Sequence, residues 1–442
     1  MNCRIKTFII AAIILGACAQ APEPAGDGTA ASTFEGAVDY ETFFTPERLR
    51  LDFVLAGNKE EENVYLSELH KECEWAGSPN GLISKMGYGS YALEAFSGDK
   101  LIFSTGFNSL FDEWVTTEQA KHVSMAQNQT IWMPFPKTPV HIVLYKRERN
   151  TGRFISFFEC DVDPADRHII PGPDNDFIVT TLMENGPHAR KVDLAFSGEG
   201  YTEEELPKLR ADAARFMEYL FSMEPYAHRR SDFNVYLVES VSEDSGVDIP
   251  NHGKWRSTVM DSNFDTFYED RYLTIQNHQK IASVYSGTPF DAIFVIANDE
   301  KYGGGGIYGS YAMGTSDNRL SNEVFIHEFG HSFAGLGDEY YDSSTAYQDF
   351  YPAGVEPWEP NITTCVDFDS KWKDMIEEGT PVPTPNDPEK YYGVVGLFEG
   401  AGYMTKGCWR PFYECRMLNN TAPGFCPVCQ RAIEAMIDFY VD

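Results

Sequence analysis

Two histidines four residues apart, with a glutamate after the first, carry the strongest chemical signal in the chain: His327-Glu328-Phe329-Gly330-His331. On an α-helix, positions i and i+4 share a face, so both imidazoles reach one ion. Glu328 projects to one side, close enough to hold a water on that ion. Such a set suits one catalytic Zn²⁺ and hydrolysis. The ion lowers the pKa of its water toward about 7, and a carboxylate takes the proton as general base. A catalytic zinc takes three protein ligands and leaves one position for water. The stretch Gly335-Leu336-Gly337-Asp338-Glu339-Tyr340 follows closely and offers two adjacent acids, Asp338 and Glu339, for the third place. Glu356 and Glu359 are more distant alternatives. The other eight histidines form no such pair.

These residues need rigid elements to position them. Ser321 as N-cap and Gly335 as stop predict a helix over 322–334. Phe290–Ile296, apolar but for Asp291, suits a central, doubly covered strand. Lys191–Phe196 and Phe233–Val238 are further strands. Between them Thr202 and Glu205 make a capping box, Pro207 fits the first turn, and Leu206, Leu209, Ala213, Phe216 and Leu220 fall at helical spacing. Strands alternate with helices, so residues 178–442 read as an α/β domain. Gly303–Gly306 reads as a loose loop, or as a rim leading to an edge strand at Ile307–Ala312 along which an extended substrate could lie. Residues 34–166 read as an all-β, sandwich-like accessory domain, from Leu49–Leu55, Val140–Tyr145 and Phe154–Phe158. Residues 167–177, rich in Pro, Gly and Asp, read as a linker. The whole is α+β / α/β, with no internal repeat.

Composition bounds the partners. Hydrophobic residues are 43% and charged residues 23%, which excludes a disordered chain. A net charge of −32 repels phosphate backbones and anionic headgroups, so no nucleic acid is expected. Residues 1–17 carry Arg4 and Lys6, then an apolar run too short to span a bilayer. Leu15-Gly16-Ala17-Cys18 resembles the lipobox of bacterial lipoproteins, which implies cleavage before Cys18, lipid on that residue and a place on the cell envelope. Residues 18–33, with Pro22, Pro24 and Gly26, then read as a flexible tether. Asp161, Asp163 and Asp166 are a weak candidate for Ca²⁺; they do not match an EF-hand loop, and a solvated linker is preferred.

The pattern HExGHxxxGLxDEY around His327–Tyr340 resembles the bacterial IgA-peptidase family of secreted zinc peptidases, which are metzincin-like. The resemblance favours Asp338 over Glu339 as third ligand. It implies a metzincin-like peptidase domain that hydrolyses peptide bonds of extracellular proteins or glycoproteins. Tyr413-Glu414-Cys415-Arg416-Met417-Leu418 looks like the methionine turn of that group, with Met417 as an apolar floor beneath the ligands. Asn419 stands where some relatives place a tyrosine, so a tyrosine assisting the oxyanion would come from elsewhere, Tyr403 or Tyr340. Cys408, Cys415, Cys426 and Cys429 cluster around this turn. Cys426-Pro427-Val428-Cys429 has the spacing of half a zinc knuckle or a redox pair. In an exported protein, disulfides Cys365–Cys408 and Cys415 with Cys426 or Cys429 are the preferred expectation. The rival reading is a surface binding lipoprotein on a decayed peptidase scaffold, which the intact His327, Glu328 and His331 disfavour.

Overall fold

A computed structural model describes residues 37–341 and 351–441 of the chain. The expected signal peptide (1–17), the lipid-bearing Cys18 and the tether (18–33) lie outside the described residues. The architecture mixes α and β, with an N-terminal β domain.

That domain is built from β1 (Phe44–Gly57), β2 (Glu62–Glu74), β3 (Tyr91–Ser97), β4 (Lys100–Phe107), β5 (Met125–Pro136), β6 (Val140–Arg147), β7 (Phe154–Val162) and the two-residue β8 (Ile170–Pro171). They form two four-stranded sheets, in the orders β5-β1-β2-β8 and β4-β3-β6-β7. The period-two alternation of β1 shows why the sheets stack. Leu49, Leu51, Phe53 and Leu55 are buried on one face and share a core with Leu93, Ile102, Ile142 and Leu144 of the second sheet. Arg48, Arg50 and Asp52 face the other way and are equally buried. Arg48 Nε donates to Glu72 Oε2 at 2.7 Å, while its Nη1 and Nη2 donate to the carbonyls of Thr288 and Tyr285 at 3.0 and 2.7 Å. A desolvated guanidinium is tolerated only when bonded this fully. The polar face of β1 is thus the seam with the rest of the molecule.

The second half centres on a six-stranded sheet. Its strands are β9 (Val179–Met183), β10 (Val192–Glu199), β11 (Phe233–Val238), β12 (Ala292–Ala297), β13 (Gly304–Ile307) and β14 (Tyr311–Thr315). The order is β13-β14-β12-β10-β11-β9. The four inner strands run parallel, and β13 and β9 lie antiparallel at the two edges. One face packs on α1 (Leu206–Leu220), α3 (Ser321–Ala334) and α4 (Pro427–Val441), through Phe196, Phe294, Phe216, Phe325 and Ile433. The other packs on α2 (His278–Tyr285), through Val295, Ile281 and Tyr285. Covered on both faces, β12 is apolar throughout. A hairpin of β15 (Phe398–Ala401) and β16 (Met404–Arg410) stands apart from the large sheet. Among the described residues no helix is long and apolar enough to cross a membrane.

Three expectations are corrected. Ser321 is the first helical residue of α3 and caps nothing; the preceding Asn318 orders the entry by accepting from Leu320 N at 3.0 Å. The glycine run is not a loose loop, although Gly303, Gly304 and Gly306 do line a cavity. Gly304–Ile307 is the edge strand itself, and Ile307–Ala312 is interrupted by a turn before β14. The cause is contact with α3: a Cβ on Gly306 would lie 2.3 Å from Glu328 O and 3.0 Å from His331 Cβ. The outer edge is already met at Gly304, whose carbonyl accepts from Leu273 N at 3.3 Å. Finally, the expected disulfides are absent, since all seven described cysteines are free. Cys365 is exposed while Cys408 is buried. Cys415 and Cys429 approach to 3.7 Å, far beyond the roughly 2.05 Å of an S–S bond.

Candidate metal centre

α3 places His327 and His331 on one face, and the chain turns back at Gly335, which adopts a left-handed φ of 64° that favours glycine. This turn returns Asp338 to the histidines. His327 Nε2 and His331 Nε2 lie 3.1 Å apart, and Asp338 Oδ1 lies 3.0 and 3.2 Å from them. Their outer partners decide where the hydrogens sit. His327 Nδ1 faces the Arg416 carbonyl at 3.1 Å, and His331 Nδ1 faces the Leu336 carbonyl at 2.5 Å. A carbonyl only accepts, so each Nδ1 carries the hydrogen and each Nε2 offers a lone pair. Two lone pairs and a carboxylate oxygen therefore converge. Asp338 Oδ1 is buried with no hydrogen-bond donor of its own. A cation relieves that convergence. With metal–ligand bonds of about 2.0–2.1 Å, a tetrahedron has edges of about 3.3 Å, close to this triangle. The residues fit a Zn²⁺-like ion.

A proton can take the cation's place. Burial opposes charge on His331, but Asp338, Glu328 and the Leu336 carbonyl outweigh it and lift its pKa to about 9. Burial also resists ionisation of Asp338, yet the imidazoles hold its carboxyl well below the usual carboxylate range.

The triangle opens on a cavity of about 260 Å³. Glu328 lines it, and burial pushes its carboxyl upward while the two imidazoles pull it back. A carboxyl with a raised pKa is suited to exchange protons near neutrality. Beneath the helix, Met417 is fully buried, and a Cβ on Gly330 would come 3.1 Å from its sulfur. The turn is closed by Leu418 N and Asn419 N on the Cys415 carbonyl, and the Met417 carbonyl accepts from Glu339 N at 2.9 Å. Above, the β15–β16 hairpin turns through Gly402 (φ 55°) and Tyr403 (φ 65°). Gly402 N donates to the Asp338 carbonyl at 2.9 Å, and the Tyr403 hydroxyl donates to Asp338 Oδ2. Tyr403 is thus a positioning residue for Asp338, held in an unusual backbone state by the contacts it makes. Tyr340 stacks edge-on against it at 5.2 Å.

Glu339 does not join the triangle. Its carboxylate turns away to Asn361 Nδ2 at 3.0 Å and Cys429 Sγ at 3.2 Å. Glu359 accepts from the Tyr351 hydroxyl at 3.0 Å, and Glu356 accepts from Asp367 N at 2.9 Å. Asp161, Asp163 and Asp166 are each engaged locally, with His141, Ala165 and His168, and do not converge. Sequence reasoning missed Arg271, Tyr302 and Asn420, which line the cavity. Asn420 Nδ2 donates to the Tyr302 hydroxyl at 2.9 Å. Only the position of Tyr302, just before the glycine run, hinted at its place. The β domain also reaches the cavity, through Asn108 and Glu113, and Glu113 Oε2 accepts from the Tyr272 hydroxyl at 2.6 Å.

A pair of histidines and an acid at the floor of a cleft, beside a half-buried glutamate, is the equipment of a hydrolase. Family models narrow the class to a peptidase. The model for IgA Peptidase M64 matches residues 180–392 and 386–437, and that for the Peptidase M64 N-terminus matches residues 39–158. The chain belongs to the IgA peptidase M64 family. No curated protein matches it.

Proposed function

We propose that this protein is a zinc-dependent endopeptidase whose ion is held by His327, His331 and Asp338. The reading rests on one observation: two imidazole lone pairs and a carboxylate oxygen meet within 3.2 Å, beside the half-buried Glu328. When bound, Zn²⁺ polarises the scissile carbonyl and acidifies water. Glu328 takes the proton from the attacking water and passes it to the leaving amine. Arg271 and Tyr302 line the same wall and offer donors to the substrate's carbonyl oxygens. Asn108 and Glu113 make residues 34–166 part of the substrate-facing wall, which supports an accessory domain that helps to position polypeptide. The antiparallel edge strand β13 over the histidine helix, with Met417 beneath, supports a metzincin-like catalytic domain over residues 178–442. The family's name points to immunoglobulin A, and we take extracellular proteins or glycoproteins of that kind as the substrate class. The lipobox-like Leu15–Cys18 supports export and a lipid anchor on the cell envelope. The full ligand set counts against a decayed binding scaffold.

The test is cleavage of a broad protein panel that includes immunoglobulin A. Cleavage should be abolished by a chelator and restored by Zn²⁺. Cleavage that ignores the chelator, or a zinc-loaded protein that cleaves nothing in the panel, overturns the reading.

A further inference from the structure

On the far side of the ligand loop, Glu339 meets Cys415, Cys426 and Cys429. One ligand atom from each lies within 4.8 Å of all the others. The group is closed to water: Glu339, Cys415 and Cys429 are 0% exposed and Cys426 is 2% exposed. Three separate pieces of chain supply it. Glu339 follows Asp338, Cys415 opens the turn that holds Met417, and Cys426 and Cys429 stand at the start of α4. A Cys-x-x-Cys pair at a helix start presents both sulfurs to one point.

We propose that Glu339, Cys415, Cys426 and Cys429 form a second, structural Zn²⁺ site. Three features carry it. First, the spacing matches a coordination shell. With Zn–S of about 2.3 Å, the sulfur–sulfur edge of a tetrahedron is about 3.8 Å, and with Zn–O of about 2.0 Å the sulfur–oxygen edge is about 3.5 Å. Cys415 and Cys429 are 3.7 Å apart, and Cys429 lies 3.2 Å from Glu339 Oε1. Second, Glu339 Oε2 is buried without a hydrogen-bond partner, although Oε1 is held by Asn361. An ionised carboxylate buried among thiols with one oxygen orphaned needs a cation or strands a polar atom. Third, the count is odd. One disulfide would leave the third thiol buried beside the carboxylate, whereas a four-ligand site uses every member. Three thiolates and a carboxylate close the tetrahedron, which marks a structural site. Binding releases the three thiol protons to solvent, and Zn²⁺ accepts one electron pair from each sulfur and one from Glu339; no oxidant is needed.

The ion would tie together the backbone on which the first site depends. Glu339 N donates to the Met417 carbonyl at 2.9 Å, and the neighbouring Arg416 carbonyl orients His327. The second site is a clamp under the first and takes no part in the chemistry.

Metal analysis and native mass spectrometry of the full chain, purified anaerobically with Zn²⁺, test the proposal. The wild type should carry two zinc ions, and the double variant H327A/H331A should retain one. Loaded with Co²⁺, H327A/H331A should show the near-ultraviolet charge-transfer absorption of thiolate–Co²⁺ bonds, and adding C426S/C429S should remove it. If the C426S/C429S chain does not fold, the wild-type and H327A/H331A measurements still decide. A wild type with one ion that disappears in H327A/H331A overturns this site, whether its thiols are free or two hydrogens have been lost to a disulfide. A single ion that survives H327A/H331A keeps this site and sinks the histidine site instead.

Discussion

Gly306→Ala puts a methyl group where α3 lies against β13. Its Cβ would sit 2.3 Å from the Glu328 carbonyl oxygen and 3.0 Å from His331 Cβ. Ordinary contact begins near 3.4 Å, so strand and helix must part by roughly 1 Å, since backbone cannot rotate away as a flexible side chain can. Overpacking of this kind costs about 1–3 kcal/mol. The functional loss should be larger. Glu328 and His331 are the groups displaced, and misplacement by about 1 Å costs on the order of 100-fold in rate. Gly314→Ala is the control on the neighbouring strand. Its added Cβ meets Phe294 and Val324 at 3.5 Å, which is ordinary contact. The assay pairs urea unfolding with zinc affinity, by competition against a chelator, and with the rate of cleavage on one chosen substrate. Gly306→Ala should lose stability, zinc affinity and rate, while Gly314→Ala changes each by little. If Gly306→Ala keeps wild-type zinc affinity and rate, the close packing of the glycine strand on the metal helix does not position the site.

Other outcomes follow from the same geometry. Tyr403→Phe removes the hydroxyl that donates to Asp338 Oδ2 and should weaken zinc binding about 10- to 100-fold, read by chelator competition, with little change in fold. Zinc binding should release protons. At pH 7, below the pKa of about 9, His331 is protonated in the metal-free protein, so loading this site expels close to one proton from it. Calorimetry of the metal-free C426S/C429S variant, in buffers of different ionisation enthalpy, reads the total released; the share from His331 falls toward zero above about pH 9, while the zinc-bound water adds its own proton above about pH 7. Glu72→Ala leaves the buried Arg48 guanidinium without its carboxylate and should destabilise the protein by about 3–5 kcal/mol in urea unfolding.

Much of the fold was legible because its strongest elements are locally decided. Phe233–Val238, apolar but for Asn234, and the run ending at Ile296, apolar from Ala292, became inner strands of the large sheet. Thr202 and Glu205 spell a capping box, and the structure forms it. β2 was unreadable for the opposite reason. Glu62–Glu74 is rich in charge, and its role as a strand comes from pairing with β1 and from buried Glu72 meeting Arg48. The glycine run was misread because a glycine's value lies in what approaches it, and only the tertiary structure supplies α3. The site divides in the same way. His327, Glu328 and His331 sit on one helix at fixed spacing, so the chain announces their convergence. The choice between Asp338 and Glu339 depends on which way a loop turns. Arg271, Tyr302 and Asn420 come from distant loops and share no local pattern. The cysteines were seen as a cluster, but pairing logic hid the carboxylate that joins them.

The central claim is that Glu328 moves the proton in a metal-dependent cleavage. Glu328→Gln tests it most directly, because the amide keeps the shape and packing and removes the base. The account predicts that the variant retains the zinc held by His327, His331 and Asp338, folds as the wild type does, and cleaves substrate about 10²- to 10⁴-fold more slowly. A zinc-loaded Glu328→Gln protein that cleaves within tenfold of the wild-type rate would contradict it.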